Sequence, residues 1–156
     1  MKPARRRFLR ELPAAFVLLP AGRAGAQQAA SPVVEVYLSP SCGCCKDWIA
    51  HLEAHGFRTV VHEVGNTTMR ARLGVAERYG SCHTARVGGY VVEGHVPAPD
   101  ILRLLRERPA ALGLAVPRMP VGSPGMDGPE YGGRRDPYDV LLLDRSGGAT
   151  VWAAYR

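Results

Sequence analysis

Short apolar runs separated by turn residues dominate the chain from residue 33 onward. Runs of this length, rich in β-branched and aliphatic side chains, predict strands. The predicted strands cover residues 33–38, 57–64, 85–90, 91–96, 138–144 and 150–155, with Gly88-Gly89 or Glu93-Gly94 as turn or bulge positions. The last two flank the polar, glycine-containing stretch 145–148, so they predict a C-terminal β-hairpin.

Helical patterns lie between these runs. Residues 46–55 and 67–73 have helical composition, and residues 99–100 open a strongly amphipathic helix that ends at Pro109. In this last helix the apolar side chains are predicted to face the core, at positions 101, 102, 104 and 105.

The order of these elements predicts an α/β fold of the thioredoxin-like type, in which a strand, a cysteine-bearing loop, a helix and further strands follow one another. The stretch 117–137 is dense in proline and glycine, so it is predicted to be an inserted loop with few core residues. Residues 27–156 have a length that suits one domain, here a single metal-binding domain.

Residues 1–26 predict a cleaved export signal. A cationic start precedes the apolar run 12–21, and Ala24-Gly25-Ala26 supplies small residues of the kind that a signal peptidase reads. The stretch Arg5-Arg6-Arg7-Phe8-Leu9-Arg10 resembles a twin-arginine signal, with an ordinary secretory signal as the alternative. Both routes predict a bacterial periplasmic or extracellular protein. The apolar run is shorter than the roughly 20 residues that span a bilayer, so no stable membrane insertion is expected after cleavage.

The net charge of +6 belongs mostly to this N-terminal segment. Six basic residues against Glu11 give residues 1–26 a charge of +5, which leaves about +1 for the rest of the chain. A nearly neutral domain lacks the basic surface on which nucleic-acid binding depends, so a nucleic-acid partner is not expected.

Four cysteines carry the candidate chemistry. Cys42, Cys44 and Cys45 lie between a predicted strand and a predicted helix, and Cys82 is followed at once by His83. In an exported protein four cysteines usually form two structural disulfides, for which three pairings exist. Disulfides stabilise most when they close long loops, and three cysteines within four positions cannot do so among themselves. The crowding therefore favours a functional site.

Two kinds of site fit this spacing. Cys42 and Cys45 form a C-x-x-C pair, in which a helix N-terminus lowers the pKa of the first thiol and makes it a nucleophile. Alternatively the thiolates bind a soft ion, Cu(I) above all, or Zn(II) as a Cys₃His set that includes His83. Thioredoxin-like enzymes usually have a cis-proline just before the third strand, at a place that faces the C-x-x-C loop. This chain has Cys82-His83-Thr84-Ala85 there and no proline, so Cys82 and His83 are predicted to face the cluster.

Two methionines favour copper. Met119 and Met126 lie in the proline- and glycine-rich stretch, where neither has a helix or strand face to fill, so metal contact or a lid role competes with core packing.

Other histidines are weaker candidates. His51 and His55 have the i, i+4 spacing of a helical metal clamp, although a solvated helix face is favoured. Glu93 is a candidate hydrogen-bond partner of His95.

Five motifs spread over residues 33–155 carry a resemblance to a known family: Ser41-Cys42-Gly43-Cys44-Cys45, Ser81-Cys82-His83-Thr84-Ala85, Gly88-Gly89-Tyr90, Glu93-Gly94-His95-Val96-Pro97-Ala98 and Met119-Pro120-Val121-Gly122-Ser123-Pro124-Gly125-Met126. Together they resemble the family called domain of unknown function 411, whose members are described as periplasmic metal-binding or copper-resistance proteins. The resemblance implies a thioredoxin-like fold and a soft-metal site, with copper expected. It implies as site residues Cys42, Cys44, Cys45, Cys82 and His83.

Two positions depart from the family pattern. Arg118 stands where the family usually has glycine, and this change bears on the contribution of the neighbouring Met119 to the metal site. Asp127 replaces the usual glutamate.

The sequence as a whole predicts a non-enzymatic periplasmic protein that binds Cu(I) for copper homeostasis, resistance or delivery. A periplasmic copper protein or an exporter is the expected partner. The alternative is a thiol–disulfide oxidoreductase that uses Cys42 and Cys45.

Overall fold

The computed structural model describes residues 31–156, so the predicted export signal lies outside the described residues. Seven strands form one mixed sheet: β1 Val33–Leu38, β2 Arg58–His62, β3 His83–Val87, β4 Tyr90–Glu93, β5 Gly113–Ala115, β6 Tyr138–Leu143 and β7 Ala149–Tyr155. The α-helices are α1 Gly43–Ala54, α2 Thr67–Arg72 and α3 Ala98–Glu107, and short 3₁₀ turns occur at Glu77–Tyr79 and Pro129–Tyr131. Within residues 31–156 no helix is long and apolar enough to cross a bilayer.

The sheet has the strand order β2-β1-β3-β4-β5-β6-β7. The pairs β1–β2 and β4–β5 are parallel, and each is joined through a helix, α1 or α3 respectively. The other neighbouring strands are antiparallel, including the predicted C-terminal hairpin of β6 and β7. The prediction of a mixed α/β fold is confirmed.

The centre of the sheet differs from the predicted strands. A two-residue turn at Gly88 and Gly89, both with positive φ, joins β3 to β4. The sequence indicated this glycine pair as one of two turn or bulge positions, but it extended the first strand to residue 90. Positive φ at both central residues is the geometry of a tight hairpin turn, which glycine adopts without steric cost. β5 was not predicted, because a three-residue strand is too short to show an alternating pattern.

Side chains from α1, α3 and the sheet form the main core. Trp48 is fully buried, and its indole N–H donates a hydrogen bond to the carbonyl oxygen of Val96 at 2.9 Å. In α3, Ile101 and Leu104 are buried as predicted, but Leu102 is 37% exposed. The prediction for Leu102 was wrong because a one-residue step turns a helix by about 100°, which takes this side chain away from the buried stripe.

The proline- and glycine-rich stretch is packed, contrary to the prediction that it contributes few core residues. Val121, Ser123 and Met126 are buried, and Gly125 lies directly against the start of α1. A Cβ atom at Gly125 would stand 2.5 Å from the carbonyl oxygen of Cys44, so only glycine permits this close approach. The stretch therefore covers the part of α1 that carries the cysteines.

Candidate metal centre

The first turn of α1 presents the clustered cysteines. The sequence predicted a helix from residue 46, but α1 begins at Gly43, with Cys42 as its N-cap residue in an extended conformation. A turn separates the end of β1 from this early helix start. In it the Cys42 N–H donates to the carbonyl oxygen of Ser39 at 3.0 Å. Cys42, Cys44 and Cys45 consequently lie at the positive end of the helix, where a negative charge is stabilised.

Cys82 completes a four-sulfur group. It precedes β3, and its Sγ atom lies 3.4 Å from Sγ of Cys45 and 3.9 Å from Sγ of Cys44. Sγ of Cys42 is 3.6 Å from Sγ of Cys44, and all four sulfur atoms lie within 4.8 Å of one another. The structure thus brings Cys82 to the cluster, 37 residues away from Cys45 in sequence.

One disulfide exists among the four cysteines. Cys42 is bonded to Cys45, whereas Cys44 and Cys82 are free. The bridge closes a separation of only three residues, so the structure does not have the two loop-closing disulfides of a structural scaffold. All four sulfur atoms can ligate a metal only after this bridge is reduced, because a ligating cysteine must be a thiolate.

Two buried histidines adjoin Cys82 on its other side. Nδ1 of His83 lies 3.4 Å from Sγ of Cys82, and Nε2 of His95 lies 3.0 Å from it. Cys82, His83 and His95 form a second group whose ligand atoms are within 4.8 Å of one another. Cys82 belongs to both groups and therefore connects the sulfur cluster to the imidazoles.

A backbone contact defines the tautomer of His95. Its Nδ1 atom lies 2.8 Å from the carbonyl oxygen of Pro124, which can only accept a hydrogen bond. Nδ1 therefore carries the proton in the neutral ring, and Nε2 presents its lone pair to Cys82. An imidazole that donates to a carbonyl through one nitrogen and faces the site with the other has the usual arrangement of a metal-ligating histidine.

The sequence indicated His95 only as a weaker candidate and paired it with Glu93, a pairing that the structure does not have. Glu93 instead contacts Ser81, Thr84 and Arg70. The register of the β3–β4 hairpin explains why Glu93 contacts Thr84 and why His95 contacts Cys82. Thr84 pairs with Glu93, and two residues further from the turn the same register places His95 opposite Cys82. Of the two turn positions that the sequence offered, Gly88-Gly89 leads to this register and hence to this proximity.

His83 is enclosed in the core. It is fully buried, its ring centroid lies 4.2 Å from that of Trp48, and its Nε2 atom has no hydrogen-bond partner among the described residues. A buried polar atom without a partner is costly, and this Nε2 atom is not the ring nitrogen that faces Cys82, which is Nδ1.

Burial sets the pKa values at the site. It raises the pKa of the Cys82 thiol to about 12, with the nearby Cys44 thiolate adding to the shift. It lowers the pKa of His83 well below its ordinary value, an effect that the positive charge of His95 increases. Burial also lowers the pKa of His95, against the opposing influence of its hydrogen bond to Pro124. Both imidazoles are therefore neutral at pH 7, the form in which histidine binds metals.

The two predicted methionines occupy different environments. Met126 is buried, and its Sδ atom accepts a hydrogen bond from the Tyr131 hydroxyl at 3.4 Å. Met119 is 47% exposed and lines a cavity of about 470 Å³ together with Cys82 and Arg118. Met119 is thus at an opening beside the cluster, and Met126 is part of the packing that covers α1.

His51 has a structural role that the sequence did not predict. It is half-buried rather than solvated, and its Nε2 atom accepts a hydrogen bond from the backbone N–H of Ala98 at 3.0 Å. This contact caps the N-terminus of α3, where backbone N–H groups lack partners within the helix. His55 is exposed, and its Nδ1 atom lies 2.8 Å from the carbonyl oxygen of His51.

The donor set fits a soft metal ion. Four sulfur atoms form one ligand group, and two neutral, buried imidazoles form a second group with the shared Cys82. Thiolates select Cu(I) and Zn(II), and imidazoles accept both ions, whereas the oxygen ligands that Mg²⁺ and Ca²⁺ require do not appear in either ligand group.

The chain is similar to a protein family of unknown function and to solved structures of a copper resistance protein. A family model described as "Protein of unknown function, DUF411" matches residues 79–126, which include Cys82, His83 and His95. The solved structure of copper resistance protein CopG, form 2, is 52% identical, with a TM-score of 0.75, and the match covers 81% of this chain and 99% of that one. Form 1 of the same protein is 52% identical over 79% of this chain and 96% of that one, with a TM-score of 0.73. Among curated proteins none matches this chain.

Proposed function

This chain belongs to the DUF411 family and is a homologue of copper resistance protein CopG, and on that premise we propose that it binds Cu(I) in the bacterial periplasm. Its role there is copper homeostasis, resistance or delivery rather than catalysis. The ligands are the thiolates of Cys42, Cys44, Cys45 and Cys82, together with the imidazoles of His83 and His95.

The position of Cys82 carries this proposal. Its Sγ atom has two cysteine sulfurs within 3.9 Å on one side and the lone pair of His95 Nε2 at 3.0 Å on the other. A free thiol in this place loses its proton when a metal binds, and its sulfur can then be shared between the two ligand groups.

Cu(I) is favoured over Zn(II) by the composition of the site. A structural Zn(II) site takes four ligands in a tetrahedron, whereas this chain supplies six sulfur and nitrogen atoms in two groups that share Cys82. Soft thiolate and thioether ligands select Cu(I), and the exposed thioether of Met119 opens onto the cavity that Cys82 lines.

Titration of the reduced full chain with Cu(I) against a colorimetric chelator, under anaerobic conditions, tests the proposal. We expect the protein to retain Cu(I) in competition, with a sharp loss of affinity in Cys82→Ser. A parallel Zn(II) titration identifies the preferred ion. Failure of the reduced wild-type protein to hold Cu(I) against the chelator would rule out the proposed function.

A second function is favoured by the Cys42–Cys45 disulfide. This bridge joins an N-cap cysteine to a first-turn cysteine of α1, which is the arrangement of a thiol–disulfide exchange pair. Such an enzyme would reduce or isomerise cysteines of partner proteins. Turnover in an insulin-reduction assay that disappears in Cys42→Ser would support this function, whereas an inactive wild-type protein that holds Cu(I) would exclude it.

The periplasmic location is supported by residues 1–26. Replacement of Arg5, Arg6 and Arg7 by lysine preserves the charge but removes the twin-arginine pair, so the variant is expected to accumulate in the cytoplasm if export uses that route. Unchanged periplasmic recovery would indicate an ordinary secretory signal. Copper transfer from the exported protein to a periplasmic copper protein or an exporter is part of the same proposal.

A thioredoxin-like arrangement is part of the proposal as well. It is supported by the parallel β1–α1–β2 unit, the antiparallel addition of β3 and β4, and α3 after β4. In this arrangement Cys82 and His83 occupy the place that faces the cysteine-bearing loop. The strands β5, β6 and β7 and the segment between β5 and β6 extend the sheet beyond that unit.

A further inference from the structure

A buried carboxylate holds both ends of the segment that carries Cys82 and His83. Glu93 is fully buried at the end of β4, and its Oε1 atom accepts a hydrogen bond from the Ser81 N–H at 2.8 Å. Its Oε2 atom accepts one from the Thr84 hydroxyl at 2.6 Å. The two hydrogen bonds therefore bracket the ligand pair, one residue before it and one residue after it.

Helix α2 adds a second set of contacts to the same segment. Nδ2 of Asn66 donates to the carbonyl oxygen of Ser81 at 3.1 Å and lies 3.3 Å from the Thr84 hydroxyl. Nη1 of Arg70 lies 3.2 Å from that carbonyl oxygen and 3.3 Å from Oε1 of Glu93. The N–H and C=O of Ser81 are thus both bound by buried or half-buried side chains.

We propose that Glu93 is a positioning residue of the copper site, because its two hydrogen bonds to Ser81 and Thr84 set the place of the Cys82 sulfur. This inference rests on the proposed Cu(I) binding for its functional meaning. Glu93 touches no metal in this role and acts through its hydrogen bonds to the Ser81 N–H and the Thr84 hydroxyl, on either side of Cys82 and His83.

The physical reason is the cost of burying a carboxylate. A buried charged group is tolerated only when hydrogen bonds and an opposite charge compensate it. Here the donors are the Ser81 N–H, the Thr84 hydroxyl and the Arg70 guanidinium, so a displacement of the segment breaks contacts that the carboxylate needs. The network consequently favours one backbone position.

That position matters because Cys82 has close neighbours on two sides. Its sulfur lies between Cys45 at 3.4 Å and His95 Nε2 at 3.0 Å, so a shift of the backbone by about 1 Å toward one group withdraws it from the other. No proline stiffens residues 81–85, and the hydrogen-bonded carboxylate supplies the constraint instead.

Two variants remove the constraint with little change of shape, and a third variant serves as a matched control. Glu93→Gln removes the charge and one acceptor oxygen, and Thr84→Val removes the hydroxyl that donates to Glu93 and accepts from Asn66. Asp100→Asn makes the same acid-to-amide change at another buried carboxylate, whose Oδ2 atom accepts a hydrogen bond from the Tyr155 hydroxyl at 2.6 Å. Urea denaturation of each variant measures the accompanying loss of stability.

The first readout is Cu(I) affinity of the reduced full chain in chelator competition. We expect Glu93→Gln to weaken Cu(I) binding by about 10- to 100-fold, the usual effect of removing a residue that orients a metal ligand. Thr84→Val should weaken it by about threefold or more, as expected for the loss of the hydroxyl's hydrogen bonds to Glu93 and Asn66. Asp100→Asn should retain wild-type affinity although its stability falls. Unchanged affinity in a folded Glu93→Gln protein overturns the inference.

The second readout needs no metal. In a Cys44→Ser background that keeps the Cys42–Cys45 disulfide, Cys82 is the one remaining free thiol, so its alkylation rate reports how firmly the segment is held. We expect about a tenfold faster reaction in Glu93→Gln and a smaller increase in Thr84→Val, with no increase in Asp100→Asn. Unchanged rates in the folded variants overturn the positioning role.

The two readouts separate the inference from the proposed function. If the wild-type protein fails to hold Cu(I), copper binding is excluded while the alkylation rates still decide whether Glu93 positions Cys82. If Glu93→Gln does not fold, Thr84→Val decides the question in both assays.

Discussion

Nε2 of His95 lies 3.0 Å from Sγ of Cys82, although the two residues are separated by the whole β3–β4 hairpin. The hydrogen bond from Nδ1–H to Pro124 directs the lone pair of Nε2 at this sulfur. The contact joins the thiol cluster on α1 to an imidazole that is completely buried.

His95→Ala is expected to weaken Cu(I) binding by about tenfold or more, because it removes a ligand that is already oriented. Chelator competition with the reduced protein measures the change. His62→Ala is the matched control, since His62 stacks on Tyr37 with ring centroids 4.6 Å apart and belongs to neither ligand group. Equal affinities in the two variants would contradict the assignment of His95 as a ligand.

Protein isolated without reductant is expected to bind Cu(I) more weakly than reduced protein. The Cys42–Cys45 disulfide withholds two of the four sulfurs, and two electrons per chain restore them. Mass spectrometry after alkylation without reduction should find label on Cys44 and Cys82 only. Label on Cys42, or equal Cu(I) affinity before and after reduction, would be inconsistent with this prediction.

Gly125→Ala is expected to lower the free energy of unfolding of the metal-free protein by about 2–3 kcal/mol. The cost of a positive φ in alanine and the cost of crowding the new methyl group add together. Its Cβ would approach both the Cys44 carbonyl oxygen and the backbone nitrogen of Trp48. Gly133→Ala is the control, since Gly133 also has positive φ but has open space around it. Gly133→Ala should lower the free energy of unfolding by only about 1 kcal/mol, as measured by urea denaturation. Equal losses would show that the close approach to α1 is unimportant.

Arg118 has φ of 65°, a conformation that favours glycine, and its backbone is held by the Arg118 N–H donating to the carbonyl oxygen of Gly80 at 3.0 Å. Arg118→Gly should therefore be more stable than Arg118→Ala by about 1 kcal/mol. Both changes remove the guanidinium, so the difference in urea denaturation isolates the backbone. A more stable alanine variant would argue against the strain.

Stability is expected to fall as the pH rises above 10. Burial raises the pKa of Tyr138 to about 12, and burial together with the hydrogen bond to Asp100 raises the pKa of Tyr155 above its ordinary value. Because the folded state holds these protons more tightly than the unfolded state, the contribution is complete below pH 10 and is lost as the pH rises through the folded pKa values.

Urea denaturation at pH 9 and at pH 11 measures this loss. The double variant Tyr138→Phe and Tyr155→Phe should show a smaller fall between the two pH values than the wild type. Identical pH dependence in the two proteins would assign the loss to other groups.

Much of the fold follows from local patterns. The strand at Val33–Leu38 and the hairpin of β6 and β7 were predictable because long apolar runs bounded by turn residues specify strands locally. β5 was not, because its three residues are a strand only through pairing with β4 and β6. The burial of Val121 and Met126 also depends on contacts with distant elements that no local pattern records.

The sequence by itself determined the chemistry of the site, because thiols at Cys42, Cys44 and Cys45 are adjacent in any fold and a Cys-His pair follows at residue 82. Only the tertiary structure decided which groups meet. The hairpin register places Glu93 beside its cross-strand partner Thr84 and brings His95 to Cys82, because paired residues share one face of the sheet. A one-residue change of that register would exchange the faces, so this choice depends on how the whole sheet packs.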